Sequence, residues 1–452
     1  DSASIDARMV EVDSDEPAKP FFVQTAGLGD VIPQVSVLVD QIGREVYGQS
    51  TVRAPAPLTP PASPAVAGGQ VDRRMHPEKL FQAAPPAGGT FEAGGTVGDA
   101  GESIFATPAE QTTVDRRYWR SQTYDQLFVG LAAGDTTGDG RNEVVVVTPE
   151  SLHVYRVEAG RMISVFEGEK ERTRNYVGVD VADLNGNGRA EIFISALNAQ
   201  REAVQSTVLE FDGQTYDVVV DKSPWFFRAV DNQGDTRIPL LMGQRAGHDG
   251  PFSEAVFQMA WDGGDYVPGE RLLPKGAGNV LGATAGDLKN DGSRLFAVFN
   301  ESEDIRIIDE YGKVLATEAE KFGGSIQTFS LGRTDPGEPD LMAYLPVRLL
   351  IDDANLDGAN ELIVIRNIDA AGKFLRSFRY YGKFEVLGLA WDELGAKVVW
   401  QTREMKGQLS DIAVADIDGD GQRELVTGII SKTGQTIGLS PRSNLVVFQL
   451  GS

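Results

Sequence analysis

The sequence predicts a mainly β fold, a six-bladed β-propeller of four-stranded blades spanning residues 116–452. Three observations carry this expectation. A nine-residue acidic motif recurs, each time running into a short β-branched or apolar stretch. Its copies are spaced by roughly one four-stranded unit. The β-runs left over at the two ends of the region add up to one more unit.

The motif is Asp135-Thr136-Thr137-Gly138-Asp139-Gly140-Arg141-Asn142-Glu143 ahead of Val144–Val147, and Asp183-Leu184-Asn185-Gly186-Asn187-Gly188-Arg189-Ala190-Glu191 ahead of Ile192–Ile194. It returns as Asp353-Ala354-Asn355-Leu356-Asp357-Gly358-Ala359-Asn360-Glu361 ahead of Leu362–Ile365, and as Asp416-Ile417-Asp418-Gly419-Asp420-Gly421-Gln422-Arg423-Glu424 ahead of Leu425-Val426. Worn copies lie near Asp231–Pro239 and Asp287–Leu295. Starts at 135, 183, 231, 287, 353 and 416 give intervals of 48, 48, 56, 66 and 63 residues. Six loops mean six blades, and the long interval 287–353 leaves room for a seventh. Phe211-Asp212-Gly213, Trp261-Asp262-Gly263 and Trp391-Asp392-Glu393 fall between the β-runs, as an aromatic and a turn at an inner hairpin. Runs near 117–121 and 127–133 and the last two, 424–430 and 444–450, are expected to form one closing blade from both termini.

Oxygen ligands at positions one, three, five and nine, with a main-chain carbonyl at seven and glycine at six, suit a hard cation, and Ca²⁺ is the natural occupant. The candidate ligands are Asp416, Asp418, Asp420, Gln422 and Glu424; Asp353, Asn355, Asp357, Ala359 and Glu361; Asp135, Thr137, Asp139, Arg141 and Glu143; and Asp183, Asn185, Asn187, Arg189 and Glu191. Three or four ions are expected. Gln422, Ala359, Arg141 and Arg189 enter through their carbonyls. The 183 loop has only two charges and is the weaker site. In the 287 copy, Lys289 at position three and Leu295 at position nine predict no metal, with the ammonium standing in for the cation. The competing reading makes the loops Asx-type turns whose carboxylates cap backbone N–H groups.

Two zones precede the propeller. Residues 1–48 read as a partial α/β segment: a strand along Ile5–Val12, a second around Phe21–Thr25, and a helix from an Asp30 cap through Val31, Val35, Leu38, Ile42 and Val46. Residues 49–115 are a Pro/Ala/Gly-rich linker, interrupted at 71–82 by a stretch containing Arg73-Arg74-Met75-His76 that reads as a solvated loop or else as a docking segment.

Composition removes several functions. The balance of 42 Lys and Arg against 66 Asp and Glu gives a net charge of −24, which disfavours nucleic acid and anionic membrane surfaces. The absence of cysteine excludes disulfides, thiolate metal sites and cysteine nucleophiles. No apolar window is long enough for a transmembrane helix. His153 lies in an alternating run and reads as a solvent-facing strand residue, and His248 as a solvated loop residue. No G-x-S-x-G, H-E-x-x-H or P-loop motif is present, so no catalytic residue is assigned. Trp225, Phe226, Phe227, Trp261 and Trp391 read as blade packing, or else as a carbohydrate platform.

The acidic motif followed by an apolar strand resembles the FG-GAP and VCBS repeat families, whose cation-binding propeller is also found in integrin α-subunits. The FG-GAP tripeptides survive only as echoes at Val129–Ala133 and Val177–Val179. Residues 1–48 resemble the end of the TolB-type amino-terminal domain that precedes propellers in exported proteins of some Gram-negative bacteria. That resemblance implies a signal peptide upstream of Asp1 and a place in the periplasm, at the outer membrane or on the cell surface. The leading expectation is a non-enzymatic, Ca²⁺-stabilised scaffold binding another envelope or surface protein. A carbohydrate-binding or adhesive module is the alternative, and an enzyme using the central funnel the third reading.

Overall fold

A computed structural model of the chain describes residues 3–9, 19–25, 105–106, 118–230, 239–248, 250–318, 320–333, 340–369, 379–392, 395–433 and 440–450. The chain divides into two compact units, Asp1–Gly94 and Gly95–Ser452. In the first, β1 (Ala3–Met9) and β2 (Lys19–Thr25) pair antiparallel with Ile5 opposite Val23. The helix expected after Asp30, the docking segment at 71–82 and the worn loop copy at 231–238 lie outside the described residues.

The second unit is a six-bladed propeller. It opens with β3 (Phe105–Ala106) and β4 (Tyr118–Arg120), which join later blades. Blade 1 holds β5 (Gly130–Gly134), β6 (Glu143–Val147), β7 (Leu152–Glu158) and β8 (Arg161–Glu167). Blade 2 holds β9 (Arg174–Ala182), β10 (Glu191–Asn198), β11 (Ser206–Phe211) and β12 (Tyr216–Ser223). Blade 3 holds β13 (Trp225–Val230), β14 (Leu240–Arg245), β15 (Val256–Trp261) and β16 (Tyr266–Leu273). Blade 4 holds β17 (Thr284–Gly286), β18 (Leu295–Phe299), β19 (Ile305–Asp309) and β20 (Val314–Glu318). A separate hairpin follows, β21 (Thr328–Gly332) with β22 (Leu341–Tyr344).

Blade 5 holds β23 (Leu350–Asp352), β24 (Glu361–Asp369), β25 (Tyr381–Asp392) and β26 (Gly395–Thr402). β3 extends its edge by pairing with β26, and β27 (Met405–Lys406), off that strand path, pairs with β25 at Lys383 and Phe384. Residues 105–106, within the stretch expected to be linker, are thus a strand of this sheet. Blade 6 holds β28 (Gln408–Ala415), β29 (Glu424–Lys432) and β30 (Arg442–Gln449), with β4 as its fourth strand.

Within each blade the chain runs from the axis outward. First strands of neighbouring blades pack together, β28 on β5, β5 on β9 and β9 on β13. Second strands such as β6 and β18 are buried throughout, because a blade's middle is covered on both faces by its neighbours. Fourth strands such as β8 and β16 are mostly exposed. Aromatic rings fill the wedge between blades: Phe193 of blade 2 meets Phe227 and Tyr266 of blade 3 at 5.6 and 4.9 Å. Trp225, Phe226 and Phe227 are buried, as packing residues should be, and burying such a ring is worth about 2 kcal/mol.

Three sequence expectations change. Among the described residues the interval 287–353 holds, beyond the strands of blades 4 and 5, only the hairpin β21–β22, whose two strands are too few to make a seventh blade. Closure joins three carboxyl-terminal strands to one amino-terminal strand, with Val447 opposite Trp119, instead of two to two. The cause is that each acidic loop connects the first and second strands of a single blade. The run before the first loop therefore belongs to blade 1, where Ala133 faces Val144. The aromatic turns sit at outer hairpins, between third and fourth strands, as Trp261 opposite Tyr266 shows for blade 3.

Candidate functional site

All described acidic loops lie on one face, because each follows a first strand. Their first residue organises the turn. Asp416 accepts from the N–H groups of Gly419 at 2.8 Å and Gly421 at 3.0 Å. Asp183 does the same for Gly186 and Gly188, at 2.7 and 2.9 Å. Asp135 accepts from Gly138 and Gly140, both at 2.7 Å, and Asp353 from Asp357 and Gly358 at 3.1 and 2.9 Å. The sixth position has φ of 84° at Gly140, 84° at Gly188, 91° at Gly358 and 86° at Gly421, the left-handed region where glycine carries no Cβ penalty. Residues at position seven use their N–H: Arg141, Arg189, Ala359 and Gln422 donate to Asp139, Asn187, Asp357 and Asp420 at 3.1, 2.8, 2.9 and 2.8 Å. Position three joins in where Asn185, Asn355 and Asp418 accept from the N–H of Asn187, Asp357 and Asp420, at 2.9, 2.9 and 3.2 Å.

Beyond this shared frame the loops differ. Asp353, Asp357 and Glu361 bring carboxylate oxygens within 4.8 Å of one another, and so do Asp416, Asp418 and Asp420. These are the two loops whose sequence favours a cation most. The ninth-position glutamates are buried beneath them. Burial first, then repulsion from Asp357 and Asp353, pushes Glu361 up to about 7 against the hydrogen bond from Trp400. Burial and the charges of Asp418, Asp420 and Asp416 likewise push Glu424 up to about 7. Glu424 is 1% exposed; Ile417 donates to its Oε2 at 2.9 Å, while its Oε1 has no partner.

The 135 loop contains a cation supplied by the chain. Arg156 Nη2 donates to Glu143 Oε1 at 2.6 Å, lies 2.8 Å from Asp139 Oδ2 and reaches Thr137 Oγ1 at 3.3 Å. In the 183 loop, Asn185 and Asn187 donate to Glu210 at 3.0 and 2.5 Å, and Glu191 accepts from Tyr266 at 3.0 Å. Glu210 belongs to β11 and was not among the sequence candidates. In the 287 copy, Asp287 accepts from Asp291 and Gly292 at 3.0 and 2.9 Å, and Lys289 is exposed.

The loops also grip one another. The eighth residue of one loop bonds the main-chain carbonyl of the first residue of the loop before it. Ala190 N–H donates to Asp135 at 2.8 Å, Asn360 to Asp287 at 3.0 Å, Arg423 to Asp353 at 3.2 Å and Asn142 to Asp416 at 2.8 Å. Position eight therefore ties adjacent blades together, while the loops themselves close hairpins within blades.

At the axis the structure brings together four charged residues that sequence reasoning did not single out. Arg348 donates to Asp411 through Nε and to Asp180 through Nη1, both at 2.7 Å, and to the Val179 carbonyl at 2.6 Å and Leu131 carbonyl at 3.1 Å. Arg228 reaches the carbonyls of Ala283 and Leu349, both at 3.0 Å, and lies 3.4 Å from Asp180. Every blade contributes a partner. All four side chains are buried. Burial opposes both guanidinium charges; the carboxylates of Asp180 and Asp411 outweigh it at Arg348 and raise its pKa, whereas Arg228, beside Arg348, falls to about 10. A cavity of about 100 Å³ remains above the cluster on the loop side. The sequence does mark these positions, as single charges inside apolar runs such as Trp225-Phe226-Phe227-Arg228 and Leu345-Pro346-Val347-Arg348-Leu349.

His153 is buried in β7 at 3% exposure, contrary to the solvent-facing expectation. Its Nε2 lies 2.8 Å from Ser151 Oγ. Alternation misleads here because inner strands of a blade are covered on both faces. His248 is exposed and lines a cavity of about 510 Å³ on the opposite face.

Fold and loops together define a β-propeller whose blades carry acidic hairpins on one face. Residues 135–194, spanning the loops of blades 1 and 2, match the family described as FG-GAP-like repeat. No curated protein matches the sequence. Among solved structures, the chain is similar to BBS1N, in a crystal structure in complex with ARL6DN soaked with lead, at 10% identity over 74% of this chain and 97% of that one, TM-score 0.39. It is also similar to a glucose dehydrogenase (10% identity, 74% and 99% coverage, TM-score 0.38) and to the exotype rhamnogalacturonan lyase YesX (14% identity, 76% and 75% coverage, TM-score 0.36). Among the described residues no helix is long and apolar enough to cross a membrane.

Proposed function

We propose that this protein is a non-enzymatic, calcium-stabilised propeller serving as a rigid protein-interaction module of a bacterial cell envelope. The observation that carries this reading is the cross-linked axis. Arg348, Asp180, Asp411 and Arg228 satisfy one another and bond the first strands β5, β9, β13 and β28 to the segments leading into β17 and β23. A funnel enzyme needs convergent titratable groups free to meet substrate; here the groups at the axis are engaged in holding the ring.

Calcium fits the loops of blades 5 and 6. Their donors are oxygens, mostly carboxylates, as a hard cation prefers. The buried, partnerless Oε1 of Glu424 beneath Asp416, Asp418 and Asp420 is the kind of atom that a cation would satisfy. Asp353, Asn355, Asp357 and Glu361 would hold the second ion. Bound calcium neutralises clustered carboxylates, and its binding free energy adds to that of folding. The envelope location rests on the resemblance of residues 1–48 to a TolB-type domain.

A carbohydrate-binding role is the second reading, favoured by Trp261, 38% exposed at an outer hairpin. Crosslinking the full chain in its native envelope, then measuring binding of the recovered protein to the purified chain, tests the proposal. Saturable binding of a protein partner supports it. Binding confined to a glycan array moves the reading to carbohydrate, and turnover of a bound glycan overturns the non-enzymatic assignment.

A further inference from the structure

We infer that Arg156 is the resident cation of the blade 1 loop, and that the third-strand residue opposite the loop's ninth position decides which loops require a metal ion. The part concerning metal in blades 5 and 6 rests on the calcium reading above; the assignment of Arg156 rests on its own contacts.

Strand register places one structural position beside each loop. Val144 faces Tyr155, so the next pair brings Glu143 opposite Arg156. In blade 2, Ile192 faces Leu209, which brings Glu191 opposite Glu210. In blade 5, Leu362 faces Leu389, which brings Glu361 opposite Ala390. In blade 6, Glu424 faces Gln449 directly. The same position therefore carries a cation in blade 1, an anion in blade 2 and a neutral residue in blades 5 and 6.

Only in blade 1 is the position filled by a guanidinium long enough to enter the loop. There it takes two of the ligands that a metal would need, Glu143 Oε1 at 2.6 Å and Asp139 Oδ2 at 2.8 Å. Glu143 has its other oxygen occupied as well, by Thr136 N–H at 3.0 Å and Thr136 Oγ1 at 2.8 Å. Its equivalent Glu424 has one oxygen without a partner. A divalent ion in the first loop would have to displace Arg156 or sit against its charge. Arginine stays protonated throughout the working pH range, so this loop remains closed without metal.

The position can be exchanged between blades. Arg156→Gln in the full chain removes the internal cation, and Gln449→Arg introduces one opposite Glu424. Bound calcium per chain is read by elemental analysis after gel filtration in Ca²⁺, and thermal unfolding is followed in Ca²⁺ and in EDTA. The inference expects Arg156→Gln to hold one ion more than the wild-type chain and to lose more stability in EDTA than in Ca²⁺. Arg156→Lys keeps a cation and should retain the wild-type ion count. Gln449→Arg should hold one ion fewer.

An unchanged ion count in Arg156→Gln, with equal loss of stability in both buffers, overturns the assignment of Arg156. A wild-type chain that binds no ion beside an Arg156→Gln chain that binds one upholds that assignment and overturns the calcium reading of blades 5 and 6. Should Arg156→Gln fail to fold, Gln449→Arg carries the test, and an ion count equal to the wild type overturns the selection rule.

Discussion

The side-chain amide of Asn142 donates to the main-chain carbonyl of Asp416 across 2.8 Å, joining the acidic loop of the first blade to that of the last. This is the seam where the chain closes on itself. One short strand, β4, bonds β30 within blade 6, and the Asn142 contact holds blade 6 to blade 1 at the rim. The equivalent contacts from Ala190, Asn360 and Arg423 repeat the arrangement at other junctions.

Removing the seam contact should weaken closure without disturbing either hairpin. Asn142→Leu is expected to cost about 1 kcal/mol, the net value of one hydrogen bond, in urea unfolding. Amide exchange should quicken in β4 and β30. Unchanged stability and exchange would show that the rim contact does not hold the ring.

The axial cluster should be far more sensitive. Arg348→Met leaves Asp180 and Asp411 buried with less compensation, and breaking such a group costs about 3–5 kcal/mol. Replacing Asp180 and Asp411 with Asn in the same chain should recover a large part of that loss, because the cost lies in the stranded charges. Denaturant titration of both variants checks this; equal stability of the single and triple variants would contradict it.

His153 gives a pH dependence of definite sign. Burial lowers its pKa from 6.5, and the Glu167 carboxylate offsets this only in part. The folded state then takes up the proton less readily than the unfolded one. Stability is intact above pH 6.5, falls as pH drops below that value, and levels off beneath the folded pKa. His153→Gln should flatten this part of the curve of melting temperature against pH, and an unaltered curve would exclude His153 as its source.

Leu356 occupies the fourth loop position with φ of 59°, where the other three intact loops have glycine at 76°, 72° and 77°. It is 50% exposed, so few contacts compensate for the left-handed conformation. Leu356→Gly should raise stability by up to about 1 kcal/mol, measured as a higher melting temperature in EDTA. A lower one would mean that the leucine side chain contributes more than its backbone costs.

The blade count was legible because the hairpin between first and second strands needs Asp, Asn and Gly at fixed offsets whatever surrounds it. Asp416, Gly419 and Gly421 form the same turn as Asp183, Gly186 and Gly188. Whether such a turn stays within a blade or crosses to the next is not encoded locally, so the closing strands were divided two and two. Alternation puts His153 on a wet face because it assumes that a strand has one, and β7 has none at that residue. Arg156 and Glu210 become visible only once strand register sets them opposite Glu143 and Glu191. The axial charges are far apart in sequence, from Asp180 to Asp411, and only ring closure brings them together.

The most direct test of the calcium account is thermal unfolding of the full chain in Ca²⁺ and in EDTA, with bound metal measured on the same sample and on Asp416→Ala/Asp418→Ala. The account predicts bound calcium, a clear rise in melting temperature with Ca²⁺, and a smaller rise in the variant, which should lose more stability in Ca²⁺ than in EDTA. No bound metal and coincident melting curves would contradict it, leaving the loops as turns closed by their own carboxylates.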